Sequence, residues 1–368
     1  MARILINHYT AVPNKITGIT VYSFAIAEAL VRHGRHDYVF VTDWDIDRLP
    51  PQIVSLPCEI IGRRAVKNET LELFEAARRL PALKRQTNSD LIFHTGPTSM
   101  WGGYDRSVVV IHDMYRVTSP ALYSLAQRLQ WHHFTARTFR RAAAIIAVSD
   151  ATARDVRAAY RETPPRVSVV HEAPPIGPAN VSPVRPIERP YALMVANLSP
   201  NKNVRVVVDA LKLLADRGEC PTVCLVGRDP GGALAAMLDG RTDIDMVRVE
   251  GVSDAELSAY YAHARMFINT SLMEGFCLPV LEAQAFGTPV ICSDLPVLRE
   301  VAGEGALFVD PRNPSRVAEA IMLVAGNDAV RDDLAERSIT NVQRFSWEKA
   351  ARETEAVFDT VLASQATS

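Results

Sequence analysis

Short, largely apolar runs alternate with stretches of helical periodicity along the chain. This alternation restricts the fold more than any other feature. Ile4–Asn7, Tyr38–Thr42, Asp90–His94, Val108–His112 and Ala144–Val148 carry too few polar residues to keep one face in water. Continuous runs of this kind are strands buried on both faces, as in a parallel sheet covered by helices. Thr20–Arg32 places its apolar residues at helical spacing and stops at Gly34. The alternation resumes later. Strands are expected at Ala192–Ala196, Val223–Val226, Met266–Asn269 and Pro289–Cys292, and helices at Val204–Asp216, Ala255–Ala262 and Val280–Phe286.

Between the two series lie six prolines, Pro174, Pro175, Pro178, Pro183, Pro186 and Pro190. Proline cannot continue a helix or donate to a sheet, so 174–190 reads as a linker. A chain of 368 residues agrees with two domains at roughly 150 residues each. The expected fold is therefore α/β, with two Rossmann-like parallel-sheet domains at 1–173 and 191–345 and a cleft between them. Ligands of open parallel sheets bind beyond the carboxyl ends of the strands.

Composition narrows the function. Hydrophobic residues at 48% and charged residues at 22% suit an ordinary globular protein. No apolar run approaches the ~18 residues of a membrane span. Met1-Ala2-Arg3 followed by Ile4-Leu5-Ile6 reads as a first strand and not as a signal peptide. The five scattered cysteines suggest neither a metal site nor a disulfide framework, and the cytosol is the expected compartment. Residues 1–180 carry a net +6 and the remainder −8, for a total of −2. A total so near zero gives no nucleic-acid footprint. The asymmetry does suit weak contact with an anionic membrane surface.

Five segments carry chemistry. In Glu274-Gly275-Phe276-Cys277-Leu278-Pro279-Val280-Leu281-Glu282, which follows the strand Met266–Asn269 and opens a helix, two carboxylates stand eight residues apart. The helix N-terminus offers unpaired N–H groups to phosphate or sugar oxygens. Glu274 in the loop can accept from sugar hydroxyls and Glu282 from a ribose diol, although the spacing alone fits two solvated carboxylates equally well. Lys202, at a strand-to-helix turn, can place a charge on a phosphate. Gly18, before the first helix, permits close backbone approach. His112-Asp113 ends a buried strand, a place as suited to a structural histidine as to a functional one. From Arg116 to Arg166 there are nine arginines and three acids, and Leu122–Ala143 has arginines and aromatics but no acid. Such a helix fits either a membrane interface or an ordinary solvated face. Ala147-Val148-Ser149-Asp150 reads as a helix N-cap.

These motifs resemble those of the retaining GT-B glycosyltransferases of family four, in the branch of bacterial polysaccharide mannosyltransferases for O-antigen or capsule. The likeness runs through Glu274-Gly275-Phe276, Leu278-Pro279-Val280, Glu282-Ala283 and Gly287-Thr288-Pro289-Val290. It extends to Leu198-Ser199-Pro200-Asn201-Lys202-Asn203, Thr17-Gly18-Ile19, His112-Asp113 and Phe345-Ser346-Trp347. The resemblance implies that Glu274 holds the donor sugar, Glu282 the ribose and Lys202 the diphosphate. Gly18 approaches that diphosphate, and His112 contacts the sugar. The amides of Phe276, Cys277 and Leu278 face sugar and phosphate. It also implies that 346–368 is a helix crossing back to the first domain. Two departures stand out. Cys277 occupies the family's usual glycine position and is expected to narrow the pocket, and Asn197 stands where many members keep an arginine.

The implied reaction is metal-independent hexosyl transfer with retention, best matched by mannose from GDP-mannose, to a glycan or lipid-linked glycan. No cofactor is expected, and the implied place of action is the inner face of the membrane. Two rivals remain open, a sugar-nucleotide epimerase of similar fold and a weakly catalytic nucleotide-sugar-binding partner subunit.

Overall fold

The structure is a computed structural model describing residues 1–8, 16–62, 69–96, 106–130, 140–160 and 166–364. The chain forms two compact units, Met1–Ala173 together with Phe345–Ser368, and Pro174–Arg344.

The first unit is built on seven parallel strands: β1 (Arg3–His8), β2 (Asp37–Thr42), β3 (Glu59–Gly62), β4 (Leu91–His94), β5 (Ser107–Ile111), β6 (Ala144–Ala147) and β7 (Val167–Val169). Their order is β3-β2-β1-β4-β5-β6-β7. Leu5 lies opposite Val39 on one side and Ile92 on the other, and all three are fully buried. The helix Gly18–His33 starts where the Thr17 side chain accepts from the Thr20 amide. It ends where the Gly34 N–H closes onto the Leu30 carbonyl. The last helix, Trp347–Ala363, packs against Gly18–His33. Its Phe358 meets Phe93 at 5.1 Å, and its buried Glu355 accepts from the Tyr38 hydroxyl at 2.6 Å and from the Arg35 amide.

The second unit has six parallel strands: β8 (Tyr191–Val195), β9 (Thr222–Val226), β10 (Met246–Val249), β11 (Met266–Asn269), β12 (Val290–Ser293) and β13 (Ala306–Val309). Their order is β10-β9-β8-β11-β12-β13. Helices Val204–Ala215 and Pro314–Gly326 cover one face through a shared core that includes Val207, Leu211, Val317 and Ile321. The proline-rich segment 174–190 groups with this unit. Its turn Pro178–Asn180 lies beside the helix Asp254–His263, and the Ser182 amide donates to the Ala255 carbonyl at 3.1 Å. Prolines exclude regular structure there without excluding packing.

In both sheets the strand order reverses once, between β1 and β4 and between β8 and β11. The carboxyl ends of such strand pairs are where open α/β sheets open a crevice. No helix of the described residues is long and apolar enough to cross a membrane.

Candidate active site

The loops that leave β8 and β11, the two strands flanking the reversal in the second unit, carry Lys202 and Glu274. After β8 the chain makes a tight turn at Pro200–Lys202, and Asn203 adopts a left-handed conformation with φ 51° before the helix Val204–Ala215. The Asn203 side chain spends its amide protons on the carbonyls of Thr270, at 3.2 Å, and Pro311, at 2.7 Å. The Leu272 amide donates to the Asn201 carbonyl at 2.8 Å. The loops are thus sewn together. As a result the Lys202 ammonium meets Glu274 Oε1 at 2.6 Å, with the Glu274 side chain only 9% exposed. The Ser271 hydroxyl donates to the same oxygen at 2.6 Å.

The loop from Asn269 to Leu278 is shaped by one side chain. Asn269 accepts the Ser271 amide on Oδ1 at 3.2 Å and donates through Nδ2 to Cys277 Sγ at 3.3 Å. Cys277 sits at φ 85°, a conformation that costs a residue with a Cβ roughly 1–2 kcal/mol. Its thiol is buried and turned toward Asn269, so it braces the loop from within. Burial first, and the Glu274 charge second, push its pKa well above the usual thiol value. Gly275 and Phe276, both buried, lead into the helix Leu278–Ala285. The Val280 amide closes onto the Cys277 carbonyl at 3.1 Å and Pro279 has no N–H, so the amides of Cys277 and Leu278 are the ones at this helix end that no helix carbonyl can reach, a position suited to an anion.

Glu282 lies further along this helix and is buried. Its Oε2 accepts from the Tyr261 hydroxyl at 2.7 Å. Burial raises its pKa, the Tyr261 hydrogen bond pulls it back and the Asp254 charge raises it again. The net value is pushed up to about 7.

Asn197 is a tie between loops. Its Oδ1 accepts from the Arg228 amide at 3.0 Å, and the Leu198 amide donates to the Arg228 carbonyl at 2.9 Å. A Cβ at Gly227 would collide with the Ala196 carbonyl, so this close crossing of two strand ends requires glycine.

In the first unit Gly18 opens its helix, exposed, and a Cβ added there would meet nothing within 4 Å. The fold itself therefore places no steric demand for glycine at this position. His112 lies just past β5, where Nε2 donates to the Thr95 carbonyl at 2.9 Å and Nδ1 faces Glu172 Oε1 at 3.1 Å. A carbonyl and a carboxylate only accept, so these partners favour the imidazolium, with a proton on each ring nitrogen. Burial alone would lower its pKa. The hydrogen bond and charge of Glu172, with the Thr95 carbonyl and the Asp113 charge, outweigh burial and raise it. A raised folded-state pKa gives stability that is fully present below the imidazole's ordinary value and lost as pH climbs through the raised one. The melting temperature of the native protein should therefore fall as pH rises above the imidazole's ordinary range. His112→Gln should lose about 3–5 kcal/mol of stability for a broken buried pair, and so melt lower at neutral pH, and show less of that fall. A differential scanning series from pH 6 to 9 on both proteins checks this.

Sequence reasoning missed the partners Ser271, Asn269, Tyr261, Thr95 and Glu172. Ser149 does cap a helix, accepting from the Thr152 amide at 3.0 Å. Of the expected basic helix Leu122–Ala143, the stretch Leu125–Gln130 is helical, whereas Trp131, Phe134 and Arg137 lie outside the described residues. Lys15 does so too.

Comparison with known proteins matches residues 16–173 to the model "Glycosyltransferase Family 4" and residues 181–341 to "Glycosyl transferases group 1". The chain is 27% identical over 307 residues to the O-antigen chain mannosyltransferase B of Escherichia coli, covering 80% of each chain. It is 28% identical over 215 residues to the O-antigen chain mannosyltransferase RfbU of Salmonella typhimurium, covering 58% of this chain and 59% of the other. Among solved structures it superposes on the sucrose-phosphate synthase of Thermosynechococcus elongatus with a TM-score of 0.75 at 20% identity, over 99% of this chain and 100% of that one. It superposes on WaaG, a glycosyltransferase involved in lipopolysaccharide biosynthesis, with a TM-score of 0.73 at 16% identity, over 97% and 99%. At these identities the structures speak for the fold alone.

Proposed function

Because the chain belongs to the glycosyltransferases that these two models describe, with the GT-B fold, we propose that it transfers mannose from GDP-mannose to a hydroxyl of a glycan or lipid-linked glycan, with retention at the anomeric carbon. The observation that carries the reading is the Lys202–Glu274 contact beside the start of the helix Leu278–Ala285. A cation and helix amides are what a leaving diphosphate needs, and a neighbouring carboxylate is what sugar hydroxyls need. The choice of mannose and of polysaccharide synthesis is supported by the names of the O-antigen relatives.

In this reading Lys202 and the amides of Phe276, Cys277 and Leu278 neutralise the departing diphosphate, and Glu274 holds the sugar. Glu282 holds the ribose, and Gly18 leaves room for the phosphates. Asn197 offers its amide nitrogen in place of a cation, while His112 orders strand ends near the reacting sugar. The test is a panel of GDP-mannose, UDP-glucose and related donors with lipid-linked acceptors, the product anomer being read by NMR. Donor hydrolysis or epimerisation without transfer, or an inverted product, would overturn the proposal.

Lys202→Ala is expected to weaken GDP binding by about one to two decades and guanosine binding hardly at all, because a charged phosphate contact is worth about 1.5–3 kcal/mol. Calorimetric titration of both ligands checks the difference, and equal losses would place Lys202 away from the phosphates.

We also propose weak contact of the first unit with anionic lipid. Leu125 and Leu129, 66% and 49% exposed, stand beside the exposed Arg128, a pairing suited to a headgroup layer at about 1 kcal/mol per cation. Vesicles of phosphatidylglycerol should co-sediment the protein at low salt, and vesicles of phosphatidylcholine should not. Equal pelleting with both reduces the feature to a solvated face.

A further inference from the structure

Tyr261 belongs to none of the motifs, yet its hydroxyl is the partner of a carboxylate assigned to the donor. The residue is fully buried near the end of the helix Asp254–His263. Its ring stacks on Phe286 at 5.8 Å with 7° between the planes, and it tilts against Phe267 at 5.7 Å. Its own carbonyl accepts from the Thr288 hydroxyl at 2.8 Å. Ring and backbone are therefore both fixed, and the hydroxyl has one direction in which to point. There it meets Glu282 Oε2 at 2.7 Å, while Oε1 accepts from no other group among the described residues.

A glutamate has three side-chain torsions, and inside a helix a carboxylate can swing between several rotamers. A rigid donor that takes one oxygen selects a single rotamer and leaves the other oxygen, with its lone pairs, directed away from the tyrosine. We infer that Tyr261 is a positioning residue for donor recognition: it clamps Glu282 through Oε2 so that Oε1 is presented, pre-aimed, to a vicinal diol. This rests on the reading of Glu282 as the ribose-binding carboxylate. The clamp acts on binding before any bond is broken, so it stabilises ground state and transition state alike.

The consequence is a selective loss. Tyr261→Phe keeps the ring, its stacking and the Thr288 contact, and removes only the hydroxyl. The Michaelis constant for the sugar donor should rise roughly tenfold with turnover changed by less than about twofold, the pattern of lost uniform binding. The loss should follow the diol. GDP and UDP would each be titrated beside their 2′,3′-dideoxy counterparts, for the native protein, Tyr261→Phe, Glu282→Gln and the double variant. The expected result is a preference for the ribo form that shrinks about tenfold in Tyr261→Phe, shrinks at least as far in Glu282→Gln, and shrinks no further in the double variant. That non-additivity separates positioning from a purely structural role, in which the two losses would add.

If Glu282→Gln erases the ribose preference while Tyr261→Phe retains it, the clamp is overturned and the role of Glu282 stands. If Glu282→Gln leaves the preference intact, the ribose assignment itself fails, and the clamp with it. A Tyr261→Phe variant that loses affinity for ribo and dideoxy forms equally also overturns the clamp.

Discussion

Replacing Glu274 by alanine is expected to lower turnover by about 10²–10³-fold, the usual cost of one preorganised polar group at a reacting centre. Affinity for GDP alone should move the other way. The Lys202 ammonium is paired with Glu274 at 2.6 Å, and the Ser271 hydroxyl donates to the same oxygen. A diphosphate must compete with that carboxylate for the lysine. Removing the carboxylate takes away that competitor, so Glu274→Ala should bind GDP at least as tightly as the native protein and up to roughly tenfold more tightly. Few ways of damaging a fold strengthen the binding of one product while removing turnover. Steady-state kinetics and calorimetric titration on the same preparation check both halves. Near-native turnover would remove Glu274 from the chemistry. Lost GDP affinity would mean that the Lys202–Glu274 contact helps to build the phosphate site and does not compete with it.

Glu282→Gln is expected to make the protein more stable and worse at binding donor. The Glu282 carboxyl has its pKa pushed up to about 7, chiefly by burial. The folded protein therefore holds a proton that the unfolded chain releases near the ordinary glutamate value. Where the folded state binds more protons, stability falls with rising pH. The fall here spans the interval from the ordinary carboxylate range to about pH 7, and amounts to about 3 kcal/mol once it is complete. Glutamine has no proton to lose and can still accept from the Tyr261 hydroxyl. The variant should match the native melting temperature near pH 4 and exceed it at pH 8, by roughly 5 °C. Donor affinity should drop about ten- to a hundredfold. A variant equally stable at both pH values would show that the buried carboxyl does not titrate in this range. A side chain that the fold holds at a cost is better explained by ligand recognition than by packing.

The interior of each sheet was legible in the sequence, and its margins were not. The expected strands correspond to β1, β2, β4, β5 and β6 in one sheet and to β8, β9, β11 and β12 in the other. β3, β7, β10 and β13 went unmarked, and each of them is an edge strand. Strands between two neighbours are covered on both faces and must be apolar throughout, whereas Glu59–Gly62 and Met246–Val249 remain partly exposed and read as loop. The site divides in a similar way. Glu274, Glu282 and Lys202 lie in contiguous motifs and could be found. Their supports come from afar: Tyr261 sits 21 residues before Glu282, and Glu172 lies 60 residues beyond His112. A hydrogen bond across such separations leaves no periodicity in a single sequence. Cys277 shows the opposite error. Its identity suggested an obstacle in the pocket, but the direction of its thiol was decided by Asn269.

The helix Trp347–Ala363 completes the unit that begins at Met1, while Pro174–Arg344 forms the other unit from one uninterrupted stretch. A ribosome therefore delivers the first sheet long before it delivers the helix that shields it. Until Phe358 and Glu355 arrive, Phe93 lacks this aromatic partner and the Tyr38 hydroxyl this acceptor, and the nascent first unit must wait unfinished while the second folds. Cutting the chain after Arg344 should thus injure the unit furthest from the cut in sequence. The segment 1–173 made alone should expose an apolar helix face and aggregate, whereas 174–344 made alone has all the elements of its own core.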